Sequence, residues 1–222
     1  MSENNASTSD PYGGQKADRY DHHHRSSWRN RLTNAREVGG LYQALKLAGP
    51  GLTALDLPCG AGRFWPAFAK AGAQSLIAAD ISEGMLRVAA GNRVSPMIPE
   101  RIEPMSAFDI ELPDDAVDFI ACMRFLHHLS LAEDRMQVLG ELRRVSRRYV
   151  ALSLWTDGNL GAWRRARKAP VEPKPGFGRR ICRPRAEIEA EFAQAGFSIV
   201  KHFDVWPTLS MWRLYLLQHG DA

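Results

Sequence analysis

The stretch LDLPCGAGR at residues 55–63 limits the possible folds more than any other part of the chain. It begins as an apolar run that contains an acid, Asp56, and continues as a loop with two glycines, Gly60 and Gly62. Glycine allows the backbone to turn sharply and to approach a ligand without a Cβ atom in the way. A loop of this kind after a buried strand is typical of open α/β sheets, which bind ligands beyond the carboxyl ends of their strands.

Apolar runs typical of buried strands alternate with amphipathic runs typical of helices along most of the chain. The spacing of Val138, Leu142 and Val145, for example, predicts a long helix over residues 131–148. Strands and helices that alternate in this way form an α/β fold with a doubly wound, mostly parallel sheet and helices on both faces. The strands predicted within this pattern are residues 52–57, 75–80, 116–123 and 149–155.

The two ends of the chain depart from this alternation. Residues 1–18 are polar and predict a disordered tail, whereas the helical pattern within residues 19–50 predicts an N-terminal helical lid. Residues 197–206 and 209–218 have the pattern of two strands joined by a short turn. Because a short turn joins antiparallel strands, we expect the sheet to end in an antiparallel hairpin.

A second acid helps to identify the ligand of the glycine loop. Asp80 ends the second predicted strand, 18 residues beyond Gly62, where a carboxylate that accepts hydrogen bonds from ribose hydroxyls is expected. The loop has no third glycine for a pyrophosphate, and the carboxylate of Asp56 would repel one but attract the cationic groups of S-adenosylmethionine (SAM). A terminal hairpin is also unusual for a dehydrogenase, so the sequence favours SAM over a dinucleotide.

Four motifs in the same order resemble those of class I SAM-dependent methyltransferases of the small-molecule type, the methyltransferase type 11-like or ubiquinone-biosynthesis methyltransferase-like enzymes. They are LDLPCGAGR at 55–63, AADISEGML at 78–86, SAFDIELPDDAVDFIACMRFLHHL at 106–129 and AGFSIV at 195–200. The resemblance covers about residues 19–218 and implies a Rossmann-like, seven-stranded sheet within one domain, residues 19–222. The family usually has glycine where this chain has Pro58, which donates no backbone N–H.

The resemblance also implies a set of SAM contacts. Asp56, Gly60 and Gly62 would line the methionine and ribose parts of SAM, and Asp80 would hold the ribose hydroxyls. The further contacts that it implies are Ile81 on the adenine ring, Asp109 beside the adenine amino group, Met123 beneath the methionine, Tyr20 over the sulfonium, and Pro58, Cys59, Met85 and Phe108.

A histidine pair, His127 and His128, follows the third predicted strand within the alternating pattern. A hydroxyl acceptor must lose its proton during methyl transfer, and a histidine of near-neutral pKa is suited to accept it. We therefore name both as candidate catalytic residues. The alternative is that the two side chains only fix their loop through hydrogen bonds to the backbone.

Positive charge is concentrated in one segment. Residues 163–185 contain nine Lys or Arg and one acid, Glu172, whereas the whole chain has a net charge of only +4. The prolines and glycines of this stretch predict a shaped lobe, and the resemblance implies that residues 157–185 form a basic insertion over the acceptor site. Such a surface suits an anionic acceptor, or contact with an acidic membrane surface. The candidate substrate-binding residues are Arg164, Arg165, Arg179 and Arg180.

The positions of the cysteines and histidines indicate a redox compartment and bear on metal binding. The three cysteines, Cys59, Cys122 and Cys182, are too far apart for a metal or disulfide framework, which favours a reducing, cytoplasmic setting, with association at the inner face of the membrane left open. We expect no metal site, because the adjacent histidines at 22–24 do not share one face.

These features predict a SAM-dependent methyltransferase that acts on an anionic acceptor such as a phosphorylated sugar, an envelope glycan or a lipid head group. O-methylation is favoured because a histidine is available as a base. Two alternatives stay open. One is an RNA or protein methyltransferase, although the chain has no appended RNA-binding module. The other is a SAM-binding regulatory protein that acts through a partner without turnover.

Overall fold

The computed structural model describes residues 28–92, 99–168 and 172–220. The expected N-terminal tail, Tyr20 and the histidines at 22–24 lie outside these ranges. The helices are α1 Trp28–Ala48, α2 Trp65–Ala71, α3 Glu83–Gly91, α4 Ala132–Val145, α5 Leu160–Arg165 and α6 Arg185–Gln194, with a short 3₁₀ turn at Leu126–His128. The strands are β1 Thr53–Asp56, β2 Ser75–Asp80, β3 Arg101–Pro104, β4 Val117–Cys122, β5 Ser146–Trp155, β6 Phe197–Asp204 and β7 Trp212–His219.

The strands form one seven-stranded sheet in the order β3-β2-β1-β4-β5-β7-β6. Strand β1 pairs in parallel with β2 and β4, whereas β7 is antiparallel to both of its neighbours, β5 and β6. The predicted doubly wound sheet with a terminal antiparallel hairpin is therefore confirmed. The strand order reverses between β1 and β4, which places the ligand crevice at the carboxyl end of β1.

Helices cover both faces of the sheet because successive strand residues point to opposite faces. In β1, Ala54 packs in the cluster that includes α1 and α2, and Leu55 packs in the cluster that includes α4 and α6. Helix α1 contributes Leu41 and Leu45, both essentially inaccessible to solvent. The described part of the predicted lid is thus also a core helix.

The helix predicted over residues 131–148 is shorter than expected. Helix α4 ends at Val145, and strand β5 begins at Ser146, which pairs with Val117 of β4. Arg147 therefore lies on a strand, where its guanidinium pairs with Asp118 at 2.6 Å. Pairing with β4 prevails here over the helical pattern of the side chains.

A buried arginine ties the 3₁₀ turn to the helices beside it. Arg135 of α4 is 1% exposed, and its guanidinium donates to both carboxylate oxygens of Glu191 and to Glu187 of α6. Its Nη1 also donates to the carbonyl oxygens of residues 129–131. The chain that follows the histidine pair is therefore held by a charged side chain that has little contact with water.

Arg135→Ala is expected to destabilise the fold by about 3–5 kcal/mol, because it leaves the buried carboxylate of Glu191 without its partner. Arg147→Ala is the matched control, since the exposed Arg147–Asp118 pair contributes at most about 1 kcal/mol. Urea unfolding followed by circular dichroism measures both. Equal losses in the two variants would contradict the role given to Arg135.

Candidate functional site

The glycine loop is tied to the two strands that flank β1. The backbone N–H of Leu57 donates to the carbonyl of Ala121, and that of Cys59 donates to the carbonyl of Ala79. The N–H of Gly60 donates to Oδ2 of Asp80 at 2.9 Å. The loop therefore keeps a fixed course at the carboxyl edge of the sheet, although Pro58 donates no N–H.

The backbone favours glycine at both positions of the loop, but the space around the two residues differs. Both have positive φ angles, +53° at Gly60 and +74° at Gly62, which L side chains rarely adopt. A Cβ atom on Gly60 would meet nothing within 4 Å, whereas one on Gly62 would lie 2.8 Å from the indole of Trp65. Gly60 thus leaves open space beside the loop, and Gly62 makes room for a buried tryptophan.

Asp56 carries a buried carboxyl group that lacks a hydrogen-bond partner. The residue is inaccessible to solvent, and neither Oδ atom accepts a hydrogen bond within the described chain. Burial raises the pKa of this carboxyl to about 8, and the polar N–H of the nearby Trp65 side chain offsets only part of that rise. A buried carboxyl without a partner is costly unless a cation completes it, and the ammonium group of SAM is such a cation. The residues at this edge therefore fit the cofactor that the sequence predicts.

Asp80 is nearly buried, and both of its oxygens bind the backbone. Oδ2 accepts from Gly60, and Oδ1 accepts from the N–H of Ser82 at 2.9 Å. Ser82 in turn caps α3 by accepting from the N–H of Met85. Each carboxylate oxygen has two acceptor positions, so the ribose role of Asp80 stays a prediction alongside the loop contact.

The other predicted cofactor residues fall into two groups. Ile81 and Asp109 are exposed, whereas Met85 and Met123 are buried. Phe108 is half-buried and packs edge-to-face on Phe125, with ring centroids 6.1 Å apart. Their contacts with SAM stay predictions, as do those of Pro58, Cys59 and Tyr20.

A buried ion cluster beside the loop was not anticipated from the sequence. Glu37 of α1 is 2% exposed, and its Oε1 accepts from Nε of Arg124 at 2.9 Å. Its Oε2 lies 3.1 Å from Nη1 of Arg63, which follows the glycine loop. The cluster fastens the N-terminal helix to both the glycine loop and the end of β4. Arg63 ends the glycine motif, but nothing in the pattern of α1 distinguishes Glu37.

His128 has a defined tautomer. Its Nδ1 lies 2.8 Å from the carbonyl oxygen of Gly178 in the basic insertion. A carbonyl only accepts, so Nδ1 carries the proton and Nε2 carries the lone pair. The ring stacks on Phe177 at 4.1 Å between centroids. Burial, and then the charge of Arg180, lower the pKa of His128 to about 4, so the imidazole is neutral at physiological pH.

His127 is enclosed by aromatic rings. It is 1% exposed, stacks on Trp155 at 5.3 Å and meets the ring of Trp212 edge-on at 4.8 Å. Neither ring nitrogen has a hydrogen-bond partner within the described residues. Burial and the neighbouring cations hold the pKa of His127 well below its usual value. The imidazole of His127 is therefore neutral and is buried among the rings that surround it.

The structure separates the four arginines predicted to bind the acceptor. The guanidinium groups of Arg165 and Arg180 lie 4.8 Å and 5.6 Å from the ring centroid of Trp155, and Arg165 also donates to the carbonyl of Arg180. Arg164 and Arg179 are exposed. Only Arg165 and Arg180 therefore meet beside the histidine pair.

The basic insertion is fastened to the histidine segment by its backbone. The N–H of Gly178 donates to the carbonyl of His128, and that of Ile181 donates to the carbonyl of His127. Ser130 Oγ donates to the carbonyl of Lys174 and accepts from its N–H. The described part of the insertion thus packs directly against residues 127–130.

Two searches of the described ranges concern other kinds of site. No group of three or more His, Cys, Asp or Glu side chains in these ranges is placed to hold a metal ion. No helix within them is long and apolar enough to cross a bilayer.

Comparisons with known proteins bear on the fold and the family of the chain. Residues 55–152 match the sequence model of a family described as a methyltransferase domain. No curated protein matches the chain in sequence. Many solved structures share the fold.

Three of these structures span nearly the whole chain. Magnesium protoporphyrin IX methyltransferase from Synechocystis, with bound S-adenosylhomocysteine, is 16% identical with a TM-score of 0.73, over 94% of this chain and 96% of that chain. A SAM-dependent methyltransferase from Clostridium acetobutylicum is 12% identical with a TM-score of 0.67, over 92% and 99%. A methyltransferase from Haloferax volcanii, in complex with an activator, is 15% identical with a TM-score of 0.66, over 92% and 96%.

The pKa of Asp56 predicts a pH dependence of stability. Between about pH 4 and pH 8 the native protein keeps a proton that the unfolded chain has released, so the free energy of unfolding falls as pH rises. Asp56→Asn is expected to remove this slope, and Asp114→Asn, at a mostly exposed carboxylate, is expected to leave it unchanged. Urea titrations at pH 5, 6.5 and 8 measure the slope. An unchanged slope in Asp56→Asn would contradict a raised pKa.

The raised pKa of Asp56 also predicts that SAM binding releases a proton. An ammonium group favours the charged form of Asp56, so affinity for SAM should rise with pH below about 8, by up to about tenfold per pH unit. Calorimetry in buffers of different ionisation enthalpy counts the released protons. In Asp56→Asn we expect weaker binding and no release from this site, whereas proton release equal to that of the wild type would place the cation elsewhere.

Proposed function

For this member of the class I SAM-dependent methyltransferases, an enzyme that uses SAM as its cofactor, we propose transfer of the methyl group to an oxygen atom of an anionic acceptor. The acceptor classes that suit the site are a phosphorylated sugar, an envelope glycan or a lipid head group. The proposal rests on one arrangement above all, the cations that meet beside a neutral histidine of defined tautomer.

Arg165 and Arg180 bind the negative charge of the acceptor. Among the residues that the structure describes, neither Arg165 nor Arg180 has an acidic partner, whereas Arg63 and Arg124 share Glu37. Both lie over Trp155, which borders His127. Guanidinium groups bind phosphate and carboxylate oxygens through paired hydrogen bonds. An anionic group held there would lie next to the histidine pair.

His128 supplies the base for a hydroxyl acceptor. Because Nδ1–H donates to Gly178, Nε2 is the atom available to accept a proton. The low pKa of His128 keeps it unprotonated at neutral pH, although it also makes the base weaker. His127 gives shape to the same site, and its unpartnered nitrogens make it the second candidate for contact with the acceptor.

These positions give each residue a role in the proposed reaction. SAM, when bound, supplies a methyl group on a positively charged sulfur. Asp56 and the open side of Gly60 hold the amino-acid part of SAM, and Asp80 holds its ribose. Arg165 and Arg180 fix the acceptor, and Nε2 of His128 takes the proton of the attacking hydroxyl. Most of the rate enhancement then comes from the orientation of the two reactants.

Loss of the paired arginines is expected to weaken binding of the acceptor. Arg165→Met with Arg180→Met should raise KM about tenfold or more, because charge-assisted hydrogen bonds contribute roughly 1.5–3 kcal/mol each. Arg148→Met with Arg179→Met is the matched control at exposed positions and should have a small effect. Transfer of radiolabelled methyl from SAM to a panel of phosphorylated sugars, glycans and lipids provides the assay.

His128→Ala is expected to lower kcat by about 10²–10⁴-fold with SAM affinity unchanged. His128→Asn is the informative companion, because an amide can still donate to Gly178 but cannot act as the base. Wild-type kcat should not fall between pH 8 and pH 6, since the pKa of His128 is about 4. Full activity in His128→Asn would show that the pair only fixes the loop.

The same panel separates the other functions that the sequence leaves open. Methylation of RNA or protein, with none of the anionic small molecules or lipids, would contradict the proposed acceptor. SAM binding without transfer to any acceptor would favour the regulatory alternative.

A further inference from the structure

Three segments adjoin at one side of the molecule and form what we call the basic apolar face. They are the start of α1 (residues 28–36), the chain around α5 (158–168) and the β6–β7 turn (205–212). The turn joins the other two. Trp206 donates to Thr33 Oγ1, and its ring lies 4.3 Å from the guanidinium of Arg36, while the N–H groups of residues 160 and 161 donate to carbonyls of residues 208 and 209.

Large apolar side chains are exposed on all three segments. Trp28 is 69% exposed, Trp163 is 54% exposed and Leu209 is 58% exposed. Leu32 and Leu160 are exposed next to them. Such a group of exposed tryptophan and leucine side chains is unusual on a soluble surface and marks a site of interaction.

The charge of this face has a single sign. The three segments contain seven Lys or Arg and no Asp or Glu. Arg31, Arg164, Arg167 and Lys168 are exposed there, and the guanidinium of Arg167 covers the ring of Trp163 at 3.4 Å. A negatively charged partner that also accepts apolar side chains therefore suits this face.

We propose that the basic apolar face docks on the surface of a bilayer that contains anionic phospholipid. Tryptophan is favoured at the boundary between head groups and acyl chains, because its ring is apolar and its N–H is polar. Each arginine or lysine near an anionic surface adds attraction. Leucine side chains such as Leu160 and Leu209 gain from contact with acyl chains but have no aromatic face for stacking on bases, so a bilayer suits the face better than RNA does.

The face borders the proposed acceptor site through α5. Arg164 lies on the exposed side, and the next residue, Arg165, stacks on Trp155 beside the histidine pair. Docking would present an amphipathic acceptor to the site from the bilayer. This refinement of the acceptor rests on the proposed function, but docking itself requires no methyl transfer and is measured without it.

Co-sedimentation with phosphatidylcholine vesicles, with and without 30% phosphatidylglycerol, tests the proposal on the full chain. Wild-type protein should bind the anionic vesicles and not the neutral ones. Trp163→Ser with Leu209→Ser should lower the partition coefficient about tenfold or more. The matched control is Ile199→Ser with Val200→Ser, two exposed apolar residues on strand β6, and it should bind like wild type.

The contribution of charge is tested separately. Arg164→Glu with Arg167→Glu should abolish binding to anionic vesicles, whereas Arg148→Glu with Lys201→Glu, at exposed positions on β5 and β6, should not. SAM titration of every variant verifies that it is folded. Absence of wild-type binding at low salt would overturn the proposal, as would equal losses in the test and control variants.

RNA is the alternative partner that the same variants exclude or reveal. Retention of the protein by poly(U), lost in Arg164→Glu with Arg167→Glu, together with no vesicle binding, would assign the face to RNA. A chain that binds vesicles but methylates nothing on the acceptor panel would contradict the proposed function alone. A chain that methylates a water-soluble acceptor without vesicle binding would contradict the docking alone.

Discussion

The hydrogen bonds that fasten residues 57–60 to strands β2 and β4 are the constraint on which the site depends. They fix the glycine loop at the edge where the strand order reverses. The fixed loop keeps open space beside Gly60 and keeps the carboxyl of Asp56 out of water. The loop thus places a buried carboxyl that has no hydrogen-bond partner near open space, and the proposed binding of a cationic cofactor depends on these two features.

The second half of the site depends on the insertion that packs against it. Gly178 orients His128, and Arg180 helps to keep the imidazole neutral. Arg135 holds residues 129–131 from the other side through a nearly buried pair with Glu191. The same segment thus carries Arg165 and Arg180 and, through Gly178, sets the tautomer of His128.

The fold could be predicted from the sequence because its signals are local. Apolar runs such as SLIAAD, the glycine motif and the terminal hairpin can each be predicted from the residues of that segment alone. The end of α4 could not be predicted, because pairing of Ser146 with β4 is a long-range contact. The short edge strand β3, Arg101–Pro104, has too few apolar residues to stand out.

The candidate site was predictable to the extent that it follows motifs. Asp56, Gly60 and Asp80 meet at one edge, as expected. The cluster of Glu37 with Arg63 and Arg124 joins residues up to 87 positions apart and leaves no periodic signal. Composition indicated a cationic lobe, but only the packing on Trp155 separates Arg165 and Arg180 from Arg164 and Arg179.

Calorimetric titration of the purified protein with SAM, S-adenosylhomocysteine and NAD tests the central claim most directly. A loop with the carboxyl of Asp56 beside an open Gly60 should bind SAM and its demethylated product and should not bind NAD, because the loop lacks the third glycine that lets a pyrophosphate approach closely. Binding of NAD, or no binding of SAM and S-adenosylhomocysteine, would contradict the account of this loop as a SAM site.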